Sequence, residues 1–299
     1  MATISNLRAA GRSFLKKAGI TSYNIDTDVL LMHVFEVDKN TLLTDLRRPA
    51  NPDLDDKFMR LINARCNHVP VQYLTGKCEF MSLEFMVNQS TLIPRPDTEI
   101  LVETILAAET PENVCGLEIG VGCGCISISL EYYADNIVMR GVDINPEAVL
   151  VATQNYMRIP RPQKAPIHSK NIEFASKIFR NSIFIVSDLF QNVPRGTLFD
   201  FIVSNPPYIE TDEIERLDSC VKDYEPRAAL DGGPDGLKYY RLIAEQAGRY
   251  LTQGGRIYFE IGYNQARAVE GILAAAGYLD IKILDDYAGK NRVVCGRRA

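Results

Sequence analysis

Asn205, Pro206, Pro207 and Tyr208 form a tetrapeptide whose residue types suit one kind of acceptor, a planar nitrogen. An amide or exocyclic amino nitrogen shares its lone pair with a π system and is a poor nucleophile. The Asn205 side-chain carbonyl and the Pro206 backbone carbonyl offer two acceptors for the two N–H bonds of an NH2 group. Accepting both holds the group and favours the positive charge that grows on nitrogen as it attacks. Tyr208 adds an aromatic face on which a planar amide or base would stack. Asn-Pro alone is an ordinary turn signal. Its place after the apolar run 199–204 sets it at the carboxyl end of a strand, where open α/β sheets bind ligands.

A second motif supplies a cofactor site. Glu118-Ile119-Gly120-Val121-Gly122-Cys123-Gly124 follows a strand-like run and opens a helix-like one. Gly120, Gly122 and Gly124 permit a tight turn and close approach of a ligand to backbone N–H groups. The alternating glycines differ from the dinucleotide pattern G-x-G-x-x-G, and Glu118 suits a ligand carrying an ammonium rather than a pyrophosphate. The methionine end of S-adenosyl-L-methionine is such a ligand. Asp143 closes the next strand, where a carboxylate would accept both ribose hydroxyls. Helix capping by Asp143 or Asn145 is the competing role. Asp188, at the end of the third strand, is placed to reach an adenine amino group. A sulfonium is an already activated methyl donor, so the chain needs no catalytic base, only alignment of nitrogen, methyl and sulfur.

The elements that must hold these motifs fall into two patterns. Residues 1–75 read as a small helical bundle. Ser5 is placed to cap a helix reaching Ala18, with Leu7, Ala10, Phe14, Leu15 and Ala18 on one stripe. Further helices are expected from about Thr27 to Phe35, from Asn40 to Asp45, and from Asn51-Pro52 onward, where proline and three aspartates mark a start. Residues 76–97 hold a hairpin around Met81-Ser82 and a linker stiffened by Pro94 and Pro96. Residues 98–299 alternate strand and helix signals. Strands are expected at 114–119, 138–143, 183–187, 199–204, 255–261, 279–284 and 292–296, with helices at 125–133, 146–157, 236–251 and 265–276. That rhythm predicts an α/β domain with a seven-stranded, mostly parallel sheet covered by helices on both faces. The basic stretch 157–180, six Lys/Arg against one acid, interrupts it as a solvated insertion or a contact for an acidic partner.

Bulk composition narrows the classes. The 299 residues are 46% hydrophobic and 24% charged, values of a globular protein, and no apolar run is long enough for a membrane span. Seven scattered cysteines without Cys-x-x-Cys, and three distant histidines, point to reduced cytoplasmic thiols and to no metal site. Net charge is −5; residues 1–85 hold 11 Lys/Arg against 10 Asp/Glu and the remainder 22 against 28. Neither part looks like a nucleic-acid clamp, so stable nucleic-acid binding is not expected. The tetrapeptide's chemistry still fits an adenine N6 as well as a glutamine amide.

The flanking sequence resembles one family closely. Val71-Gln72-Tyr73-Leu74-Thr75-Gly76, Ile93-Pro94-Arg95-Pro96-Asp97-Thr98-Glu99, the glycine loop, Ser204 to Tyr208, Glu225-Pro226-Arg227, Asp231 to Leu237, Glu260-Ile261-Gly262 with Gln265, and Ala288 to Val294 recur in one order. This pattern, over residues 70–297, is similar to the HemK/PrmC protein-(glutamine-N5) methyltransferases. The resemblance implies a class I (Rossmann-like) methyltransferase fold and S-adenosyl-L-methionine as methyl donor. It also implies the Gly-Gly-Gln loop of class 1 peptide-chain release factors as partner. Carried over by residue, Gly120, Gly122, Gly124, Asp143 and Asn205 face the cofactor, and Asn205 to Tyr208 hold the glutamine amide. Three features depart from the family: Val121 and Cys123 in place of Thr- and Ser-like residues, Leu189 where some relatives carry an aromatic near adenine, and the length of 157–180.

Overall fold

The computed structural model describes residues 3–44, 51–109, 114–160 and 183–299. Contacts divide the chain into two compact units, Met1–Lys77 with Asp218–Tyr224, and Cys78–Leu217 with Glu225–Ala299.

The first unit is built from α1 (Ile4–Lys17), α2 (Tyr23–Phe35), α3 (Lys39–Thr44), α4 (Pro52–Cys66) and α5 (Val71–Thr75). Thr3, not Ser5, caps α1: its hydroxyl accepts from the Asn6 N–H while the Asn6 side chain accepts from the Thr3 N–H. That earlier start turns the apolar stripe. Ile4, Leu7, Gly11 and Leu15 face inward, and Phe14 is 46% exposed rather than buried. Helix α2 begins at Tyr23, four residues before the expected start. Asn51 caps α4 with Pro52 behind it, as its sequence indicates. Leu30, Leu31 and Val34 meet Phe58 and Ile62 in one core. Beside it Asp26, 4% exposed, accepts from Arg65 Nε at 2.7 Å and from the Ser22 hydroxyl at 2.7 Å. Removing either partner would strand a buried charge.

The second unit opens with the hairpin β1 (Lys77–Phe80) and β2 (Leu83–Met86). Met81 and Ser82 both adopt positive φ, 49° and 56°, the conformation of a two-residue primed turn. Neither residue favours it, and the turn is tied down from outside: Met81 N–H donates to Glu99 and Met81 O accepts from the Tyr133 hydroxyl. A 3-10 turn, Pro96–Thr98, leads into α6 (Glu99–Ala108).

The sheet comprises β3 (Val114–Ile119), β4 (Ile137–Asp143), β5 (Phe184–Val186), β6 (Phe199–Ser204), β7 (Leu251–Glu260), β8 (Tyr278–Asp285) and β9 (Asn291–Arg298). Its order is β5-β4-β3-β6-β7-β9-β8, parallel except at β9, which runs against both neighbours. The expected seven-stranded, mostly parallel sheet is therefore present. Helices α7 (Cys125–Tyr133), α8 (Pro146–Arg158), Lys238–Ala247 and Ala266–Ala275 cover it. The helix expected at 236–251 is shorter at both ends, and Leu251 already belongs to β7, which starts four residues before the expected 255. From β3 the chain winds outward through β4 to β5, then returns to place β6 on the other side of β3. The crevice at such a reversal, outside the carboxyl ends of β3 and β6, is where ligands bind in this architecture.

Of the basic stretch, residues 161–180 lie outside the described residues. Arg158 is described, and its guanidinium donates to Glu84. Among the described residues, no helix is long and apolar enough to cross a membrane.

Candidate active site

A cavity opens at that crevice, lined by residues that leave β3, β4, β5 and β6 and by the segment 90–98. Gly120, Gly122 and Gly124 all have positive φ, at 79°, 53° and 84°. A Cβ built on Gly120 or Gly122 would meet nothing within 4 Å, so these glycines face open space. Val121 and Cys123 are each 2% exposed. Their apolar character therefore fills the packing beneath the loop. The loop rests on β4 through Gly120 and Val121 N–H bonds to Val142 O.

Glu118 is 1% exposed, and among the described residues its one hydrogen-bonding partner is Ser127, whose N–H and hydroxyl both go to Oε2. Burial pushes its carboxyl up to about 8, with the neighbouring Asp143 charge adding to the rise and the Ser127 bonds opposing it. Asp143 accepts from Gly122 N–H on Oδ2 and from Asn145 N–H on Oδ1, both at 2.9 Å. Burial raises its pKa as well, against those bonds. The capping alternative resolves in favour of Asn145, whose side chain accepts from Glu147 N–H at the start of α8. With Ile144 N–H as a third donor, the carboxylate keeps acceptor capacity for one further donor.

Asp188 is exposed and accepts from Gln191 Nε2 at 3.1 Å through Oδ2. Leu189 stands at φ 47°, a conformation that costs a side-chain-bearing residue about 1–2 kcal/mol. The Ser187 hydroxyl holds it by donating to Leu189 O at 2.9 Å. Both line the cavity.

Asn205, Pro206 and Pro207 line the same cavity, opposite the glycine loop's strand. The two motifs are fixed in register: Glu118 pairs with Val203, and the Ser204 hydroxyl donates to Ile119 O at 2.7 Å across the strand tips. Tyr208 is not among the cavity's lining residues. Its side chain packs against the main core, and burial pushes its hydroxyl up to about 12. Among the described residues no group of three His, Cys, Asp or Glu is placed to hold a metal.

Residues 6–76 match the family described as PrmC N-terminal domain, and residues 95–219 that described as Methyltransferase small domain. Two relatives named release factor glutamine methyltransferase, from Geobacter sulfurreducens and Clostridium acetobutylicum, are each 37% identical to this chain. Both alignments span 96% of this chain, and 93% and 95% of the relatives respectively. The chain belongs to the release factor glutamine methyltransferase family. A methyltransferase from Pyrococcus furiosus aligns in structure with a TM-score of 0.50 at 17% identity, covering 74% of this chain and 91% of the other. At that identity the likeness speaks for the fold alone, which is the class I, Rossmann-like methyltransferase fold.

In this methyltransferase, several residues that position the tetrapeptide carry no local signal of doing so. Gln265 Nε2 donates to Tyr208 O at 2.9 Å and to Gly236 O at 3.3 Å, while its Oε1 accepts from Gly262 N–H and the Tyr240 hydroxyl. One side chain thereby ties the end of the tetrapeptide to three other segments. A Cβ on Gly236 would lie 2.4 Å from Tyr208 O, at φ 67°. Gly236→Ala is therefore expected to cost at least about 2 kcal/mol, from left-handed strain plus a backbone clash. Gly248→Ala, where a Cβ meets nothing within 4 Å, is the control. Thermal unfolding checks this, and equal midpoints for the two variants would contradict it.

Proposed function

We propose that this chain transfers a methyl group from S-adenosyl-L-methionine to the side-chain N5 of the glutamine in the Gly-Gly-Gln loop of class 1 release factors. The observation that carries the reading is that Asn205–Pro207 and the open Gly120–Gly122 loop line one cavity at the switch between β3 and β6, in a chain of this family.

The residues present fit the cofactor. Space stands open beside Gly120 and Gly122 where any side chain would project. A buried acid, Glu118, waits at one side with Ser127 alone to satisfy it among the described residues, and suits the amino-acid ammonium. Asp143, with three backbone N–H donors, keeps acceptor capacity for a ribose hydroxyl. Asp188 keeps Oδ1 for the adenine amino group, with Leu189 as an apolar wall. When bound, the cofactor supplies an electrophilic methyl on a positively charged sulfur.

The chain's own part is binding and alignment. Asn205 Oδ1 and Pro206 O accept the two N–H bonds of the substrate amide and hold its nitrogen toward the cofactor side. Because those acceptors face the nitrogen where charge develops, they stabilise the transition state more than the bound amide. Pro206 and Pro207 fix the backbone. Tyr208 closes this wall from the core side, and the amide proton leaves after transfer, when the nitrogen has become acidic.

Incubation with labelled S-adenosyl-L-methionine and, in separate reactions, release factor, ribosomal proteins and DNA tests the reading. Label is expected on the Gly-Gly-Gln glutamine, mapped by mass spectrometry. Label on adenine, or on a ribosomal-protein glutamine alone, would overturn it.

A further inference from the structure

Behind Asn205 lies a buried carboxyl that the mechanism above leaves unused. Ser204 pairs with Phe259 in the β6–β7 register, so Asn205 and Glu260 leave adjacent parallel strands at the same level. Glu260 is 1% exposed. The side chains of Thr98 and Asn205 hydrogen-bond to its carboxyl, yet its Oε2 has no direct partner among the described residues. A buried, incompletely satisfied carboxyl is costly, and its retention calls for a physical reason.

The hydrogen-bond polarity supplies one. Asn205 Nδ2 donates to Thr98 Oγ1 at 3.3 Å, and Thr98 is 2% exposed. A threonine hydroxyl has one proton. Since Oγ1 already accepts from Asn205, that proton points to Glu260. The run Asn205 N–H to Thr98 O–H to Glu260 is therefore directional, and it ends on a group that only accepts when ionised. With its Nδ2 protons committed to Thr98 and Glu260, Asn205 has Oδ1 left for the cavity.

We infer that Glu260, acting on Asn205 both directly and through Thr98, is a positioning residue that fixes which end of the Asn205 amide faces the substrate and polarises its carbonyl. The inference rests on the proposed role of Asn205 as acceptor. Protonating Glu260 removes the charge that makes it the preferred acceptor of the Asn205 and Thr98 protons and gives the carboxyl a proton of its own. The Oδ1-outward orientation of Asn205 is then held less firmly and its carbonyl is less polarised, so the substrate NH2 meets a weaker acceptor. Burial pushes the Glu260 carboxyl up to about 7; Asp97 reinforces this, while Thr98, Arg292 and Asn205 oppose it. The titratable groups facing it from the packed elements are Asp97, Arg292, Tyr208 and Tyr240. Tyr208 and Tyr240 are both pushed far above the range of interest, so Glu260 is the member that titrates near neutrality.

The test has two arms. In the first, kcat is measured at saturating cofactor and release factor from pH 6 to 9. The parent is expected to fall about tenfold from its plateau by pH 6. Thr98→Val, which keeps the shape but loses the hydroxyl, should have a lower kcat with a weakened pH dependence, Glu260→Gln a low, pH-independent kcat, and Thr98→Ser should recover the parent's profile. A flat parent profile, or a Thr98→Val profile like the parent's, overturns the proposal. The second arm needs no turnover: the Asn205 side-chain amide is followed by 15N NMR and assigned by its loss in Asn205→Asp. Its shift should titrate near pH 7 in the parent, move less in Thr98→Val and stay fixed in Glu260→Gln. A resonance that does not move, or moves equally in the variants, overturns the proposal even if glutamine methylation holds. Failure of glutamine methylation alone would leave this arm readable.

Discussion

Asn205→Ala is expected to lower kcat by about 10²–10³ while leaving cofactor affinity within about tenfold. The magnitude follows from the role. Removing one preorganised hydrogen-bonding group aimed at developing charge costs about 2.7–4 kcal/mol in the transition state. The ground state loses less, because the neutral amide N–H is a weaker donor before nitrogen becomes positive. Ser204 and Phe259 hold the strand ends in register without the Asn205 side chain, so the fold should survive. Isothermal titration with S-adenosyl-L-methionine and steady-state kinetics with release factor separate the two quantities. Parallel loss of cofactor binding and kcat would make Asn205 mainly a cofactor ligand and remove the amide-clamp reading.

That Asn205, the glycine loop and Asp143 share one crevice could be read from the sequence because each lies in a short contiguous motif directly after an apolar strand. The chemistry there is local, and the sheet only has to bring strand ends together. Thr98 could not be found that way. It stands 107 positions from Asn205, inside a segment whose prolines advertise a linker. Gln265 reaches Tyr208 across 57 positions. Glu260 ends an apolar strand and Glu118 stands one residue before the end of another, but nothing adjacent in sequence distinguishes a carboxyl beside the glycine loop from one behind Asn205. Only the strand order, β3-β6-β7, sets Glu118 at the foot of the glycine loop and Glu260 behind Asn205.

Smaller errors have equally local causes. Thr3 and Ser5 offer the same capping hydroxyl, and Asn6 decides between them by answering Thr3 three residues away. Lys238–Ala247 runs into Gly248 and then an apolar segment, so periodicity alone does not show that Leu251 has changed partners to pair with Phe199. Tyr208 looks like a stacking platform from its type. Its direction depends on the loop at 231–237, where Gly232 N–H and Ile209 O lock the following backbone in place.

Cofactor binding at pH 7 is expected to release close to one proton, and Glu118→Gln to abolish that release while lowering affinity by about 10²–10³. In the ligand-free pocket the Glu118 carboxyl sits at about 8 because it is buried. Below that pH it is mostly protonated and neutral. An ammonium brought beside it favours the carboxylate, so the proton leaves on binding. The sign of the pH dependence follows: affinity should rise about tenfold per unit as pH climbs toward 8, until the ligand's own α-amino group, ordinarily near 7.7–8.0, begins to lose its proton. Truncating one member of a buried charge pair costs about 2–5 kcal/mol, which sets the expected loss. The ligand-free protein carries the opposite dependence. Its folded pKa exceeds the ordinary 4.5, so the folded state holds more protons than the unfolded between those values, and Glu118 makes stability fall as pH rises from about 4.5 to about 8. Calorimetric titration in two buffers of different ionisation enthalpy counts the protons. Release that persists in Glu118→Gln, or none in the parent, would move the ammonium site away from Glu118.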